Sequence, residues 1–167
     1  MLKIINDMRP FFENCYARIS VRQYARLRKI SPPTASVLLK MYEKEGLLIN
    51  EKDRTYIMFC ANMESSDFIM LSRIYWQQKL HELIEFIEEG SPNSVVLFGS
   101  LSKAETRPES DIDLAVFGGE KMDVERFEKH LKRPIQVFWF DSLRNIKDRE
   151  LTKNIVNGHI VSGRVGL

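Results

Sequence analysis

The chain has 167 residues, 44% of them hydrophobic and 29% charged, with a net charge of +2. That is an ordinary globular composition, long enough for one medium domain or two small ones. No apolar run reaches the roughly eighteen residues of a membrane span, and Asp7 and Arg9 interrupt the N-terminus too early for a signal peptide, so a cytoplasmic protein with no membrane partner is expected.

Charge is unevenly spread. Residues 1–60 carry eleven Lys or Arg against six Asp or Glu, and residues 61–167 carry fourteen against seventeen, a balance of +5 against −3. Within the basic third, Ser20 followed by Gln23 is a capping-box pattern, and Val21, Tyr24 and Ala25 form the inward side of a helix. After a short turn at Lys29 and Ile30, Ser31 caps a second helix with Pro32 at its first position, where a missing N–H costs nothing. Ala35, Leu38, Leu39 and Tyr42 recur at helical spacing, which leaves Thr34, Ser36, Val37 and Lys40 on the opposite or flanking face. The helix stops at Gly46. A strand over Leu47–Ile49, a polar turn over residues 50–54 and a strand over Thr55–Cys60 follow.

Helix, turn, helix, Glu45-Gly46-Leu47-Leu48 and a hairpin with a basic tip resemble the winged helix-turn-helix domains of prokaryotic transcription regulators. The resemblance implies DNA binding. The helix from Pro32 to Lys44 would enter the major groove, Thr34, Ser36 and Lys40 would reach base edges or phosphates, and Lys52 and Arg54 would contact the backbone from the wing.

From Ser66 to Glu89 the apolar stripe Phe68, Leu71, Ile74, Tyr75, Leu80, Leu83, Ile84 and Ile87 predicts one long linker helix ended by Gly90. Trp76 and Phe86 widen that stripe, which suggests packing on both domains or a homodimer seam. Ser94-Val95-Val96-Leu97-Phe98 reads as a buried strand, and Gly99-Ser100 must then turn the chain tightly. Gly99 lets the backbone approach a bulky anion, Ser100 offers a hydroxyl and an N–H, and Lys103 and Arg107 follow as cations for a phosphate tail.

A second apolar strand runs from Ile112 to Phe117. With period-two alternation, Asp111 and Asp113 share one face, their α-carbons roughly 6–7 Å apart at about 3.3 Å per residue. Two such carboxylates suit a divalent ion with hard oxygen ligands, magnesium above all. Downstream, Gly118-Gly119 breaks the backbone and Asp123–Leu131 forms a solvent-facing helix whose acids alternate with Lys and Arg. Residues 134–140 form a third strand, residues 142–157 a helix ended by Gly158, and Ile160-Val161 a short edge strand. Cys15 and Cys60 show neither zinc nor redox spacing, and His81, His130 and His159 are scattered surface or capping residues.

Gly99-Ser100, the stretch to Arg107-Pro108-Glu109-Ser110, and then Asp111-Ile112-Asp113, with an apolar strand on each side, resemble the signature of the DNA polymerase beta-like nucleotidyltransferase superfamily, in particular its minimal members. The resemblance implies an α+β protein. Together with the winged-helix resemblance it predicts a winged helix-turn-helix over residues 1–64, a linker helix over 65–90, and a nucleotidyltransferase domain over 91–167 with a small mixed sheet flanked by helices. Asp111 and Asp113 become catalytic metal ligands, and Gly99, Ser100, Lys103 and Ser110 bind a nucleoside triphosphate, in the first instance ATP with Mg2+.

Transferases of this superfamily carry a third carboxylate on a later strand, and here Gln136 takes that place. An amide neither accepts the acceptor's proton nor adds charge to a metal. Asp141 lies five positions on, an odd offset that turns it to the other face unless a bulge intervenes. Three readings follow. The first is a transferase moving a nucleotide to a hydroxyl of unknown origin. The second is a transcription regulator whose transferase fold senses nucleotide. The third is an antitoxin-like autorepressor that pairs with a toxin partner.

Overall fold

The computed structural model describes residues 2–53 and 56–165. The chain divides into two compact units. One comprises residues 1–75 with 104–108, the other residues 76–103 with 109–167.

The N-terminal unit begins with α1 (Lys3–Glu13), which no motif in the sequence announces, and continues through β1 (Ile19–Ser20), α2 (Val21–Arg28) and α3 (Pro32–Lys44). The capping box at Ser20 forms in full. Its side chain accepts from the Gln23 N–H while the Gln23 side chain takes the Ser20 N–H, and Ser31 likewise accepts from the Thr34 N–H. The strands β2 (Leu48–Asp53) and β3 (Tyr56–Ala61) complete an antiparallel three-stranded sheet in the order β1-β3-β2. The hairpin departs from the expected polar turn over residues 50–54. The β2 strand runs through Asp53, and Lys52 pairs with Ile57 as a strand residue. Glu51 and Lys52 are both exposed, and a strand with solvent at both faces has the composition of a turn. Arg54, expected at the wing tip, lies outside the described residues.

Three helices of this unit are tied at one buried carboxylate. Asp7 on α1, 6% exposed, accepts from the Arg28 guanidinium at 3.0 Å and the Tyr42 hydroxyl at 2.8 Å, while its carbonyl accepts from the Tyr24 hydroxyl at 2.9 Å. Burial, and next the Asp7 charge, push the Tyr24 phenol up to about 12, and burial with the Asp7 hydrogen bond raises Tyr42 as well. Residues 104–108 also belong here. The Cys15 N–H donates to the Thr106 carbonyl at 2.8 Å, and the Arg107 guanidinium stacks on the Tyr16 ring at 3.8 Å.

The expected single linker helix is two helices. The first, α4 (Ser66–Lys79), ends at Leu80, where φ −93° and ψ 4° leave helical geometry, and α5 (His81–Glu88) starts anew. The apolar stripe passes through the break, since Leu80, Leu83 and Ile87 are all buried, and this is why periodicity does not reveal it.

The C-terminal unit is built on a mixed sheet of β4 (Ser94–Phe98), β5 (Ile112–Phe117), β6 (Ile135–Phe140) and β7 (His159–Gly163), in the order β6-β5-β4-β7. Both β5 and β7 run antiparallel to β4, and β6 runs parallel to β5. Helices α6 (Gly99–Lys103), α7 (Glu125–Leu131) and α8 (Arg149–Val156) belong to it together with α5. The expected helix over residues 142–157 is instead a 3-10 turn at Leu143–Asn145 and then α8, whose true cap is Asp148, accepting from the Glu150 and Leu151 N–H groups. Val96, Phe98, Ala115 and Phe117 pack with Ile155 on one face of the sheet, and Ile112, Leu114 and Val116 are buried on the other. Among the described residues no helix is long and apolar enough to cross a membrane.

Candidate functional site

The site grows from the register of β4, β5 and β6. Asp113 lies in the middle strand, paired with Phe98 on one side and Gln136 on the other. Because Ile112 and Leu114 are fully buried, alternation turns Asp111 and Asp113 to the opposite face, where both are half-buried. Phe98 is followed at once by Gly99, so the antiparallel pairing brings Gly99 against the Asp113 side chain.

That approach requires glycine twice over. Gly99 has φ +69°, in the left-handed region. A Cβ built there would also run into the Asp113 carboxylate oxygen. The Gly99-Ser100 pair, expected as a tight turn, opens the short helix α6, whose Ser102 hydroxyl donates to the Gly99 carbonyl at 3.0 Å. Ser100, half-buried, is the second residue of that helix.

Two acids held this close repel. Burial, and next the charge of Asp111, hold the Asp113 carboxyl above the ordinary carboxylate range. Asp111 has a partner: the Gln136 side-chain amide donates to its Oδ2 at 2.7 Å. Gln136, in register with Asp113 and bonded to Asp111, therefore stands directly beside the acid pair. Asp141 does not join them. It follows the far end of β6, five residues or about 16 Å along the strand from Gln136, and accepts from the Asn145 amide at 3.5 Å. There it lines a separate cleft of about 280 Å³ with Gly118, Gly119 and Trp139.

The remaining sequence candidates fall as follows. Lys103 ends α6 and donates to the Asn154 side chain of α8 at 2.9 Å. The Ser110 carbonyl, one residue before Asp111, accepts from Arg133 at 2.7 Å, and Arg133 is only 7% exposed. Arg107, expected near a phosphate tail, instead stacks on Tyr16 within the N-terminal unit. Thr34 and Lys40 are exposed on α3 and Ser36 is half-buried, while Thr34 shares its hydroxyl with Ser31 at 2.8 Å.

Sequence reasoning missed Asn154 and Arg133. A lone Asn in an amphipathic helix carries no signal, and an Arg just before a strand reads as solvated surface. Only the tertiary contact reveals what each holds. Among the described residues, no three His, Cys, Asp or Glu side chains gather in a way that could hold a metal ion.

Residues 81–163 match the family described as Polymerase beta, Nucleotidyltransferase. No curated protein and no solved structure matches the chain. The C-terminal part of the chain thus carries a polymerase beta-like nucleotidyltransferase fold, a mixed sheet flanked by helices.

Proposed function

We propose that the C-terminal unit binds a nucleoside triphosphate, ATP in the first instance, together with Mg2+, and that the N-terminal unit is a winged helix-turn-helix that binds DNA. The observation that carries the first half is the seat of the Asp113 carboxylate against Gly99 with Asp111 alongside. A backbone bared of its side chain beside two hard oxygen donors suits a phosphate-bound magnesium, which typically takes one or two carboxylates and fills its shell with water and phosphate oxygens. The donor set fits on those terms. Among the described residues two carboxylates meet here, and a pair favours an ion delivered with the nucleotide over one held permanently.

In this reading Asp111 and Asp113 hold magnesium, which when bound neutralises phosphate charge and relieves the repulsion between the two acids. Ser100 and the backbone around Gly99 bind phosphate, Lys103 is steadied by Asn154, and Arg133 fixes Ser110 so that Asp111 keeps its direction. For a transferase of this fold, an acceptor hydroxyl attacks the α-phosphate and pyrophosphate leaves. That hydroxyl must lose its proton, and the group beside the acid pair is the Gln136 amide, which takes none. The Gln136 to Asp111 hydrogen bond thus favours a second reading over turnover, a DNA-bound regulator whose transferase fold senses nucleotide.

Support for the N-terminal half is the element order, in which α2 and α3 are followed by the β2–β3 hairpin, and the basic excess of residues 1–60. One pair of measurements tests the proposal. Calorimetric titration with Mg-ATP is expected to show binding that Asp111→Ala with Asp113→Ala abolishes, and unchanged affinity in that variant would refute the site. Incubation with labelled ATP and Mg2+ in cell extract separates the two readings: a labelled protein or RNA makes the chain a transferase, and binding without label makes it a sensor.

A further inference from the structure

Helix α3 buries Ala35, Leu39 and Tyr42 on one side. At about 100° per residue, the direction opposite those three falls between Val37 and Lys44, with Lys40 to one side and Met41, one turn beyond Val37, to the other. Val37 is 68% exposed and Met41 40% exposed, and both lysines are exposed. A single apolar residue on a surface needs no explanation. Two of them, one turn apart and set beside Lys40 and Lys44, call for a partner that offers negative charge together with an apolar feature.

The charge selects the class of partner. Arg22 and Arg26 are exposed on the preceding helix α2, and residues 1–60 hold eleven basic residues against six acidic. Duplex DNA meets both demands. Its phosphates flank a major groove whose base edges are donors and acceptors, apart from one apolar group, the C5 methyl of thymine. Valine has nothing with which to hydrogen-bond a base, so the methyl is what it fits.

Resting on the reading of the N-terminal unit as a DNA-binding domain, we infer that Val37, supported by Met41, is a specificity-determining residue that selects thymine by its methyl group. The full chain is used to enrich a random duplex pool, and each thymine of the enriched site is then replaced in turn by deoxyuridine, which lacks only that methyl. At one or two positions the affinity is expected to fall roughly fourfold, the worth of one buried methyl. Val37→Ala, a change on an exposed surface, is expected to bind thymine and uracil duplexes alike while keeping the salt dependence set by the phosphate contacts. If every thymine is replaceable without loss, if the uracil penalty persists in Val37→Ala, or if the pool yields binding with no preferred sequence, the inference is overturned while DNA binding stands. A chain that binds no duplex at all overturns both, and leaves this face to a protein partner.

Discussion

Replacing Gly99 by alanine tests the core of the site, because two separate costs fall on one methyl group. The residue has φ +69°. For an L-residue the left-handed region costs about 1–2 kcal/mol. The added Cβ also meets the Asp113 carboxylate, so either that side chain swings away or the strand ends part. With roughly 4–8 °C per kcal/mol for a small domain, the backbone cost alone lowers the melting temperature by about 5–15 °C. Thermal unfolding followed by circular dichroism reads this, and titration with Mg-ATP reads the displaced carboxylate as a loss of at least about tenfold, since a misplaced ligand group typically costs that much or more. The double variant with Asp113→Ala separates the two costs. Removing the carboxylate relieves the clash and leaves the φ cost, so the double variant is expected to be more stable than the sum of the singles by at least about 0.5 kcal/mol. Strict additivity, or a Gly99→Ala protein with wild-type melting and affinity, would refute the proposed packing of Gly99 on Asp113.

The raised Asp113 carboxyl gives a signed pH dependence. The folded state holds that proton more tightly than the unfolded chain, so the stabilisation is full below the ordinary carboxylate pKa and is lost as pH rises through the raised one. Melting temperature in chelator is expected to fall across that acid window, and Asp113→Asn to flatten the fall. Asp7→Ala leaves the Arg28 guanidinium and the Tyr42 hydroxyl without their buried acceptor, and urea unfolding is expected to show a loss of about 3–5 kcal/mol; a loss below 1 kcal/mol, within the range of a surface pair, would count against Asp7 as the tie of the three helices. Gln136→Asp places an acid on the strand beside Asp113 and, on the transferase reading, is expected to raise transfer of labelled AMP above the wild-type level, whereas an unchanged level would show that an acid at this position does not govern transfer. Lys40→Ala with Lys44→Ala is expected to weaken duplex binding and lower the slope of log affinity against log salt by about 1–2; an unchanged slope would move these lysines off the phosphates.

The strands over Ser94–Phe98 and Ile112–Phe117 are legible in the sequence to the residue, because each is an apolar β-branched run closed by small or polar residues. The placement of Gln136 beside the acids is implied only by the superfamily resemblance, and the parallel register of β6 on β5 is what puts it there. What escaped had physical causes. The break at Leu80 lies inside an unbroken apolar stripe, and α1 carries Asp7 and Pro10, which argue locally against a packed helix even though Asp7 is buried among partners from α2 and α3. The hairpin tip was displaced because Asn50–Asp53 has the polarity of a turn while pairing as a strand. Arg133 and Asn154 act only through contacts made at long sequence separation, to Ser110 and to Lys103.

The inclusion of residues 104–108 in the N-terminal unit sets an order of events during synthesis. When residue 75 leaves the ribosome, the Cys15 N–H has not yet met the Thr106 carbonyl and the Tyr16 ring has no guanidinium over it. Both must wait until β4 and α6 have been translated. A fragment ending near residue 75 would therefore be an incomplete domain, and the unit that emerges first is finished by a segment encoded within the second.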